Sequence, residues 1–396
     1  MILEEQTIKN FSSQTCHNQW MNPKGEIGLV TVIIMTYNRV YVLGETIESV
    51  VSQTYRPIEL IVVDDGSTDN TQLIVEETVN KHKKDQNIKI RYLRQDHHGA
   101  PAARNLALIN CHGEYIQFLG SDDLLDSEKI RKQMIVASRY PETILCGPWM
   151  YFWEENGQYV KERGEEINLN EDIILQWLKG KFFIEIAFLW PRNLIYHIGP
   201  WDESLVREQD GDYFLRAVLQ KMKFSYVPET FSYWRILPSG CPSISTTPSS
   251  DALMSRIRVV QKLRFVLEDR GEFSQNHRNA MGQWFKSAAI AYVGVAPEIS
   301  EWCFQEYRSL SDDRWIPRNL LSYFVMRTFG LQPKRNFYNL KLEIAAKMRW
   351  QEFNTLRKDH FAGRAFISLI TLSLIHPIWM INNLPRKLCR KLLIFK

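Results

Sequence analysis

The sequence predicts an α/β fold in which a mostly parallel sheet is flanked by helices. Four short apolar runs, rich in β-branched and aromatic residues, have the length and composition of strands: 29–35, 58–63, 88–93 and 115–119. Three stretches with helical periodicity lie between or beside them: 40–53, 69–83 and 100–111. Because strands that alternate with helices form parallel sheets covered on both faces, this order of elements predicts the fold class.

Ligands of such sheets bind beyond the carboxyl ends of the strands. We therefore expect the functional residues in the segments that follow the strands: 36–39, 64–67, 94–104 and 120–123. The next region, 140–250, is richer in aromatic residues and less regular. Its apolar runs could extend the sheet and form the second half of a cleft.

The remaining regions differ from the α/β domain, which we place at 29–250. Residues 1–28 are polar, lack an apolar stretch and predict a loose leader rather than a secretory signal. Residues 251–360 have the periodicity of helices separated by polar turns, and 361–396 form an apolar and basic segment.

Composition and charge exclude several classes of protein. The chain has 396 residues, of which 45% are hydrophobic and 24% charged, so it is not disordered, collagen-like or wholly membrane-embedded. The net charge of +4 arises from 361–396, which contain six basic residues and no acid. A nucleic-acid binder would more often spread its basic residues over the folded domain. The six cysteines are scattered, which argues against a disulfide framework or a cysteine zinc site and favours a reducing compartment.

The C-terminal segment predicts contact with a membrane surface. Residues 365–384 are mostly apolar but contain His376 and Pro377, so a full crossing by about 20 apolar residues is not favoured. An apolar stretch followed by basic residues is typical of an interfacial anchor on anionic lipid. The alternative is a helix that packs on the preceding helices. We expect a cytoplasmic protein, peripheral on the inner face of the membrane if the anchor forms.

Two pairs of carboxylates directly follow predicted strands. Asp64 and Asp65 follow the second, where an acid can accept hydrogen bonds from a nucleobase or ribose; an Asp-Gly turn with a helix cap is the alternative. Asp122 and Asp123 follow the fourth. Adjacent carboxylates repel one another without a cation, and Mg²⁺ or Mn²⁺ is commonly held by one or two carboxylates together with substrate phosphates. A solvated acid pair at the start of a helix is the alternative for this second pair.

Two further residues have chemistry suited to the same site. Asp210 lies near the start of a predicted helix, where its carboxylate could take a proton from a hydroxyl or simply satisfy the helix N-terminus. Arg104 follows the third strand and could neutralise a phosphate, although a surface arginine is the commoner case. Asp212 and Arg216 have the spacing of a structural ion pair. The phosphate loop of nucleotide hydrolases, the glycine fingerprint of dinucleotide enzymes and the nucleophile elbow are all absent from the sequence.

Taken together, these segments resemble the family 2 glycosyltransferases of GT-A fold. The resemblance covers about 29–235, does not extend to 251–396, and rests on six motifs in order: IMTYNR (34–39), SVVSQTY (49–55), ELIVVDDGSTD (59–69), GAPAARN (99–105), GEY (113–115) and FLGSDD (118–123).

The resemblance implies a nucleoside-diphosphate sugar as donor and a divalent cation, Mg²⁺ or Mn²⁺, as cofactor. By matching positions, it implies these roles: Thr36, Tyr37 and Asp65 contact the nucleoside, Arg104 lies near the nucleotide, Asp122 lies near the ribose and donor sugar, Asp123 holds the metal, and Asp210 is the general base of an inverting reaction.

Three positions depart from the family pattern. Gly120 stands where an acid is frequent, Gln209 replaces the acid before the presumed base, and Leu237 replaces a histidine found in many members. These departures concern the metal geometry more than nucleotide binding.

We interpret the sequence as an inverting glycosyltransferase that acts on a saccharide or lipid-linked acceptor in polysaccharide or glycolipid synthesis. A non-catalytic nucleotide-sugar-binding module is the alternative, favoured by the three departures. A nucleotidyltransferase is a third possibility, but the basic, glycine-rich phosphate loop of those enzymes is missing after the first strand.

Overall fold

A computed structural model describes residues 20–82, 85–155, 158–164, 168–181, 183–237, 249–292 and 295–311. The chain divides into two compact units, Met1–Met281 and Gly282–Lys396. The predicted leader up to residue 19, the part of the predicted helical region at 312–360 and the C-terminal segment 361–396 lie outside the described residues. The domain boundaries at 28, 250 and 360 therefore stay predictions.

The first unit begins with the predicted alternation of strands and helices. The strands are β1 (Glu26–Thr36), β2 (Ile58–Asp64), β3 (Ile88–Arg94) and β4 (Gly113–Gly120). The helices are α1 (Val40–Val51), α2 (Thr71–His82) and α3 (Ala100–Asn110). The four strands and three helices expected from the sequence are thereby confirmed.

Strands β1 and β2 are apolar because the sheet is covered on both faces where they lie. All seven residues of β2 and the last seven of β1 are buried. A strand with no solvent side needs no alternation of polar and apolar residues, which explains the nearly continuous runs of Val, Ile and Leu. β1 pairs in parallel with β2 and β4, and β2 pairs in parallel with β3.

The region after β4 adds strands to this sheet and forms a second one. Its strands are β5 (Leu124–Leu125), β6 (Thr143–Cys146), β7 (Trp149–Glu155), β8 (Gln158–Arg163), β9 (Phe188–Pro191), β10 (Lys223–Tyr226) and β11 (Ser232–Arg235). Its helices are α4 (Lys129–Ala137), α5 (Ile173–Leu178), α6 (Arg192–Ile198) and α7 (Gln209–Leu219), with a 3₁₀ turn at Glu185–Ala187.

Two sheets result from these pairings. The larger has seven strands in the order β10-β6-β9-β4-β1-β2-β3, and the smaller has four in the order β5-β11-β7-β8. In the larger sheet β9 is antiparallel to both of its neighbours, while the other pairs are parallel. The prediction of a mostly parallel sheet, extended by 140–250, is confirmed.

Between residues 249 and 311 the structure describes three helices: α8 (Ser250–Asp269), α9 (Gln275–Tyr292) and α10 (Pro297–Leu310). They confirm the helical region predicted after residue 250 as far as the described residues reach. The first begins at a capping serine, since the Ser249 side chain accepts a hydrogen bond from the backbone N–H of Ala252. Among the described residues, none of the helices has the length and apolarity needed to cross a membrane.

Candidate active site

The carboxyl ends of the first four strands lie side by side at one edge of the larger sheet. Thr36, the last residue of β1, pairs with Asp64 of β2, which pairs with Arg94 of β3. On the other side of β1, Met35 pairs with Gly120 of β4. The four segments in which functional residues were expected therefore start from neighbouring strand ends.

Asp65 organises the loop that follows β3. Its carboxylate accepts hydrogen bonds from Gln95 Nε2 at 2.7 Å and from the backbone N–H groups of His98 and Gly99, both at 2.9 Å. The ring Nδ1 of His97 lies 2.8 Å from the same carboxylate. With 4% of its surface exposed, Asp65 is almost closed to solvent. Its carboxylate therefore holds the loop after β3, a role that neither the nucleotide interpretation nor the turn interpretation of the sequence included.

Tyr37 and His97 form an exposed aromatic platform beside this loop. Their rings stack with centroids 4.1 Å apart and planes inclined by 22°, and Tyr37 is 43% exposed. The neighbouring Thr36 carbonyl accepts the backbone N–H of Asp65 at 2.9 Å. Within the described part of the chain, the buried Thr36 hydroxyl has no hydrogen-bond partner. The three predicted nucleoside-contact residues therefore lie together.

The acids after β4 are held by arginines from two different elements. Asp123 is buried, and its Oδ1 accepts the backbone N–H of Arg235 at 3.0 Å. The guanidinium of Arg235 donates to the carbonyl of Asp122 and to the carboxylate of Glu45, both at 2.8 Å. The carboxylate of Asp122 lies 4.0 Å from Nε of Arg39. This frame fixes the acid pair between α1 and β11.

The residues around Asp123 fit a divalent cation. Burial and repulsion from Asp122 raise the pKa of Asp123 well above its ordinary value, and a bound cation would relieve both effects. The described residues contain no group of three or more His, Cys, Asp or Glu side chains arranged for a metal. Two carboxylates are nevertheless the donor set that Mg²⁺ or Mn²⁺ completes with substrate phosphates.

Gly120 is needed for the observed position of the Asp123 side chain. A Cβ atom on residue 120 would lie 2.5 Å from Oδ2 of Asp123 and 3.3 Å from Oδ1 of Asp122. Any larger residue would therefore displace the carboxylate of Asp123. This close approach gives a physical reason for a glycine at the first of the three departures from the family pattern.

Arg104 joins the second group of acids. Its guanidinium, in a residue only 5% exposed, donates to Glu185 Oε1 at 2.7 Å and to Gln209 Oε1 at 3.0 Å, and it lies 3.5 Å from Oδ1 of Asp210. It also stacks over the ring of Trp201 at 4.3 Å. Burial alone would lower the pKa of Arg104, but the attraction of Glu185 and Asp210 outweighs it and raises that pKa. The charge is therefore retained inside the protein.

Asp210 lies in the first turn of α7 and remains accessible. Its side chain is 38% exposed. Desolvation by the surrounding protein, with repulsion from Glu185 and Glu208, raises the pKa of Asp210 to about 8 against the opposing effect of Arg104. A carboxylate with a raised pKa in an accessible position has the properties of a general base.

Glu185 was not anticipated from the sequence. It lies in the 3₁₀ turn before β9, its side chain is 10% exposed, and its Oε2 has no hydrogen-bond partner among the described residues. Its charge contributes to the raised pKa of both Asp210 and Asp123, so it lies near each of the two predicted functional acids. The sequence signal that could have indicated Glu185 is Gln209, which stands where the family pattern has an acid. Because Gln209 carries no charge, the buried Arg104 needs a carboxylate from another segment, and Glu185 supplies it.

The predicted structural pair of Asp212 and Arg216 is confirmed. Their side chains are 3.1 Å apart and almost completely buried. Lys262 of α8 contacts the same carboxylate at 3.0 Å. Asp212 is thus satisfied within the protein, in contrast to the partly exposed Asp210 two residues earlier.

Comparison with known proteins shows that the first half of the chain is similar in sequence to glycosyltransferases. The sequence model of glycosyl transferase family 2 matches residues 31–198. An uncharacterised glycosyltransferase of Methanocaldococcus jannaschii is 28% identical over 233 residues, covering 58% of this chain and 74% of the relative. An uncharacterised glycosyltransferase of Rickettsia conorii is 43% identical over 193 residues, covering 48% of this chain and 31% of the relative. The chain thus spans less than a third of that rickettsial protein.

A solved structure, S. aureus TarS residues 1–349 in complex with UDP-GlcNAc, is also similar. It is 18% identical with a TM-score of 0.49, and the match covers 77% of this chain and 93% of that one.

The α/β fold and the matching relatives indicate a glycosyltransferase domain in the first half of the chain. Residues 31–198 belong to glycosyl transferase family 2. The resemblance noted from the six sequence motifs is thereby confirmed.

Proposed function

We propose that the protein is an inverting glycosyltransferase that moves a sugar from a nucleoside-diphosphate sugar to an acceptor hydroxyl. The position of Glu185 is the observation that carries this proposal. Its charge acts on Asp210, the accessible acid with a raised pKa, and on Asp123, the acid suited to a cation and a diphosphate. A donor sugar whose diphosphate is bound near Asp123 would then have its anomeric carbon within reach of an acceptor hydroxyl held by Asp210.

The reaction requires only one proton acceptor from the protein. Asp210 would take the proton of the acceptor hydroxyl as the hydroxyl oxygen attacks the anomeric carbon. The bond from that carbon to the diphosphate oxygen breaks, and the nucleoside diphosphate leaves with the bonding electrons. Attack from the opposite side inverts the anomeric centre without a covalent sugar–enzyme intermediate.

The remaining residues would bind the donor. Tyr37 offers a ring face to the nucleobase, with Thr36 next to it, and Asp65 shapes the loop behind them. Arg104 would lie near the nucleotide and Asp122 near the ribose and donor sugar. Asp123, with Asp122, would hold Mg²⁺ or Mn²⁺, which when bound neutralises charge on the diphosphate.

A panel of UDP-, GDP- and dTDP-sugars tests the proposed function. Each would be incubated with Mn²⁺ and a set of saccharide and lipid-linked acceptors, and the release of nucleoside diphosphate would be measured. We expect acceptor-dependent release with one nucleotide class, and a product whose anomeric configuration, read by NMR, is opposite to that of the donor. A product of retained configuration would rule out the inverting mechanism.

Replacement of Glu185 by glutamine is expected to lower the pH at which the enzyme becomes active. The change removes the largest charge repulsion on Asp210 but keeps an oxygen for Arg104. The acid limb of kcat/KM should therefore move to lower pH by about one unit, the order expected for one nearby charge. Glu128→Gln, at an exposed acid paired with Arg131, is the matched control and should leave the profile in place. An unmoved limb in Glu185→Gln would show that Asp210 is not the titrating base.

We also propose that 361–396 contact the membrane and that the acceptor is a saccharide or lipid-linked precursor. Support comes from the sequence alone, which places an apolar stretch before four basic residues. Deletion of 361–396 should shift the protein from the membrane fraction to the supernatant at low salt. Full-length protein that stays entirely in the supernatant would contradict this proposal.

A further inference from the structure

Helix α8 holds both ends of the segment that carries Asp210. Nζ of Lys262 lies 2.5 Å from the carboxylate of Asp202 and 3.0 Å from that of Asp212. Lys262 is itself 4% exposed, so these contacts are made inside the protein. Its ammonium group therefore ties the beginning of the segment 202–212 to the first turn of α7.

The same helix contacts the middle of this segment. Three further hydrogen bonds join α8 to this segment: Ser255 Oγ accepts from the backbone N–H of Val206 (3.1 Å), Arg258 donates to the carbonyl of Ser204 (3.3 Å), and Arg256 Nε donates to Oε2 of Glu208 (3.1 Å). Four side chains of α8 thus reach one loop. None of these residues falls in 31–198, the range that the family matches.

Glu208 is the residue at which this loop becomes α7. Its φ of +61° and ψ of +26° place it in the left-handed region, which is uncommon for a residue with a side chain. Such a conformation persists where neighbouring groups hold it. Oε1 of Glu208 accepts the indole N–H of Trp177 at 3.2 Å, and Oε2 accepts Nε of Arg256.

The side chains of Glu208 and Trp177 pack closely against Gly211 in the first turn of α7. A Cβ atom on Gly211 would lie 2.7 Å from Oε1 of Glu208 and 2.8 Å from the indole nitrogen of Trp177. The Glu208 side chain therefore folds back over the first turn of α7, and its charge acts on Asp210 in the same turn.

We infer that Arg256 is a positioning residue, which holds Glu208 in its left-handed conformation and so sets where Asp210 stands in the cleft. This inference rests on the proposed function, in which Asp210 is the base. An ion pair at this degree of exposure contributes little to global stability. The Arg256–Glu208 pair instead affects the geometry at the start of α7. Helix α8, which carries Arg256, is therefore part of the scaffold of the active site.

The test compares Arg256→Gln with Arg256→Lys and with Arg264→Gln. Arg264 is the matched control because it is an arginine of the same helix whose ion pair is with Glu268, four residues on. We expect Arg256→Gln to lower kcat about tenfold with donor KM unchanged, since a misplaced base slows the chemical step without altering donor binding. Arg256→Lys, which keeps the charge, should recover part of the loss, and Arg264→Gln should match the wild type.

The pH profile supplies a readout that a change in folding would not move. Glu185, Glu208 and Arg104 are the charged groups that act on Asp210. Without Arg256 the charge of Glu208 is no longer offset, so the acid limb of kcat should move to higher pH in Arg256→Gln. Because the two residues act as one unit, Glu208→Gln combined with Arg256→Gln should cost no more than the larger single effect.

Hydrogen exchange separates this inference from the proposed function, because it needs no substrate. Amides of 209–215 should exchange at least about tenfold faster in Arg256→Gln than in Arg264→Gln, as expected when a local contact is lost. Unchanged exchange, or a wild-type kcat in Arg256→Gln, would overturn the positioning role. Faster exchange in a protein that transfers no sugar would instead refute the proposed function and leave the structural link intact.

Discussion

Asp210→Asn is expected to abolish sugar transfer while leaving donor binding intact. Asparagine keeps the size of the side chain and an oxygen facing Arg104, but it cannot take a proton from the acceptor. Loss of a general base typically costs about 10²–10⁴-fold in rate. We therefore expect kcat to fall by that factor, with the donor Kd from calorimetry within about twofold of the wild type, since the change spares the ground-state contacts of the donor.

Asp251→Asn is the matched control for this variant. Asp251 is also in the first turn of a helix, α8, and it is exposed. It should retain wild-type kcat, which shows that removing a helix N-terminal charge is not itself harmful. A near-normal kcat in Asp210→Asn would exclude Asp210 as the base.

The pH dependence of the wild type follows from the same residue. The raised pKa of Asp210, about 8 in the ligand-free protein, means that the carboxylate form increases as the pH rises toward that value. Because only the carboxylate can accept a proton, kcat/KM should increase with pH and level off above about 8, the profile that a free-enzyme base produces. The donor Kd should not change over the pH range in which kcat/KM rises.

Much of the fold was predictable because its signals are local. The runs in β1 and β2 are apolar since those strands are covered on both faces, and β2 is followed by residues that favour turns, such as Gly66 after Asp65. Helix α3 begins with Pro101 in its first turn, as the sequence pattern suggests. Such features depend on neighbours in the chain, which the sequence displays directly.

The site was only partly predictable because its contacts are distant in the chain. Arg104 and Glu185 are separated by 81 positions, and Asp123 and Arg235 by 112. No spacing rule connects such pairs. For Asp65, the nucleotide and the turn interpretations used the same residues, and only the four groups around its carboxylate show that it holds the loop.

The left-handed Glu208 and its partner Arg256 had no sequence signal either. A positive φ is recognisable in a sequence mainly at glycine, and here it occurs at a glutamate held by contacts from α5 and α8. The sequence therefore showed which acids end the strands, but not the tertiary contacts that orient Asp210 relative to them.

Asp123→Asn is expected to remove the dependence of donor binding on a divalent cation. The asparagine keeps the oxygen that accepts the backbone N–H of Arg235 but loses the charge that attracts the ion. In calorimetry with Mn²⁺, donor affinity should fall by about 100-fold or more. Changing a group that only hydrogen-bonds a metal ligand costs about 10–100-fold, and losing the ligand itself should cost at least as much. Without a divalent cation, the wild type and Asp123→Asn should bind the donor with the same low affinity.

The thermal stability of this variant distinguishes lost binding from unfolding. Because burial and Asp122 raise the pKa of Asp123, its charged form is disfavoured in the folded protein near neutral pH. Removing that charge should leave the Tm of the ligand-free protein equal or higher, and Mn²⁺ with nucleoside diphosphate should raise the Tm of the wild type only. Asp126→Asn, three residues along and hydrogen-bonded to the backbone of Glu128, should behave as the wild type. Unchanged donor affinity of Asp123→Asn in Mn²⁺ would remove Asp123 from the cation site, and the charge on the diphosphate would then have to be balanced by the arginines alone.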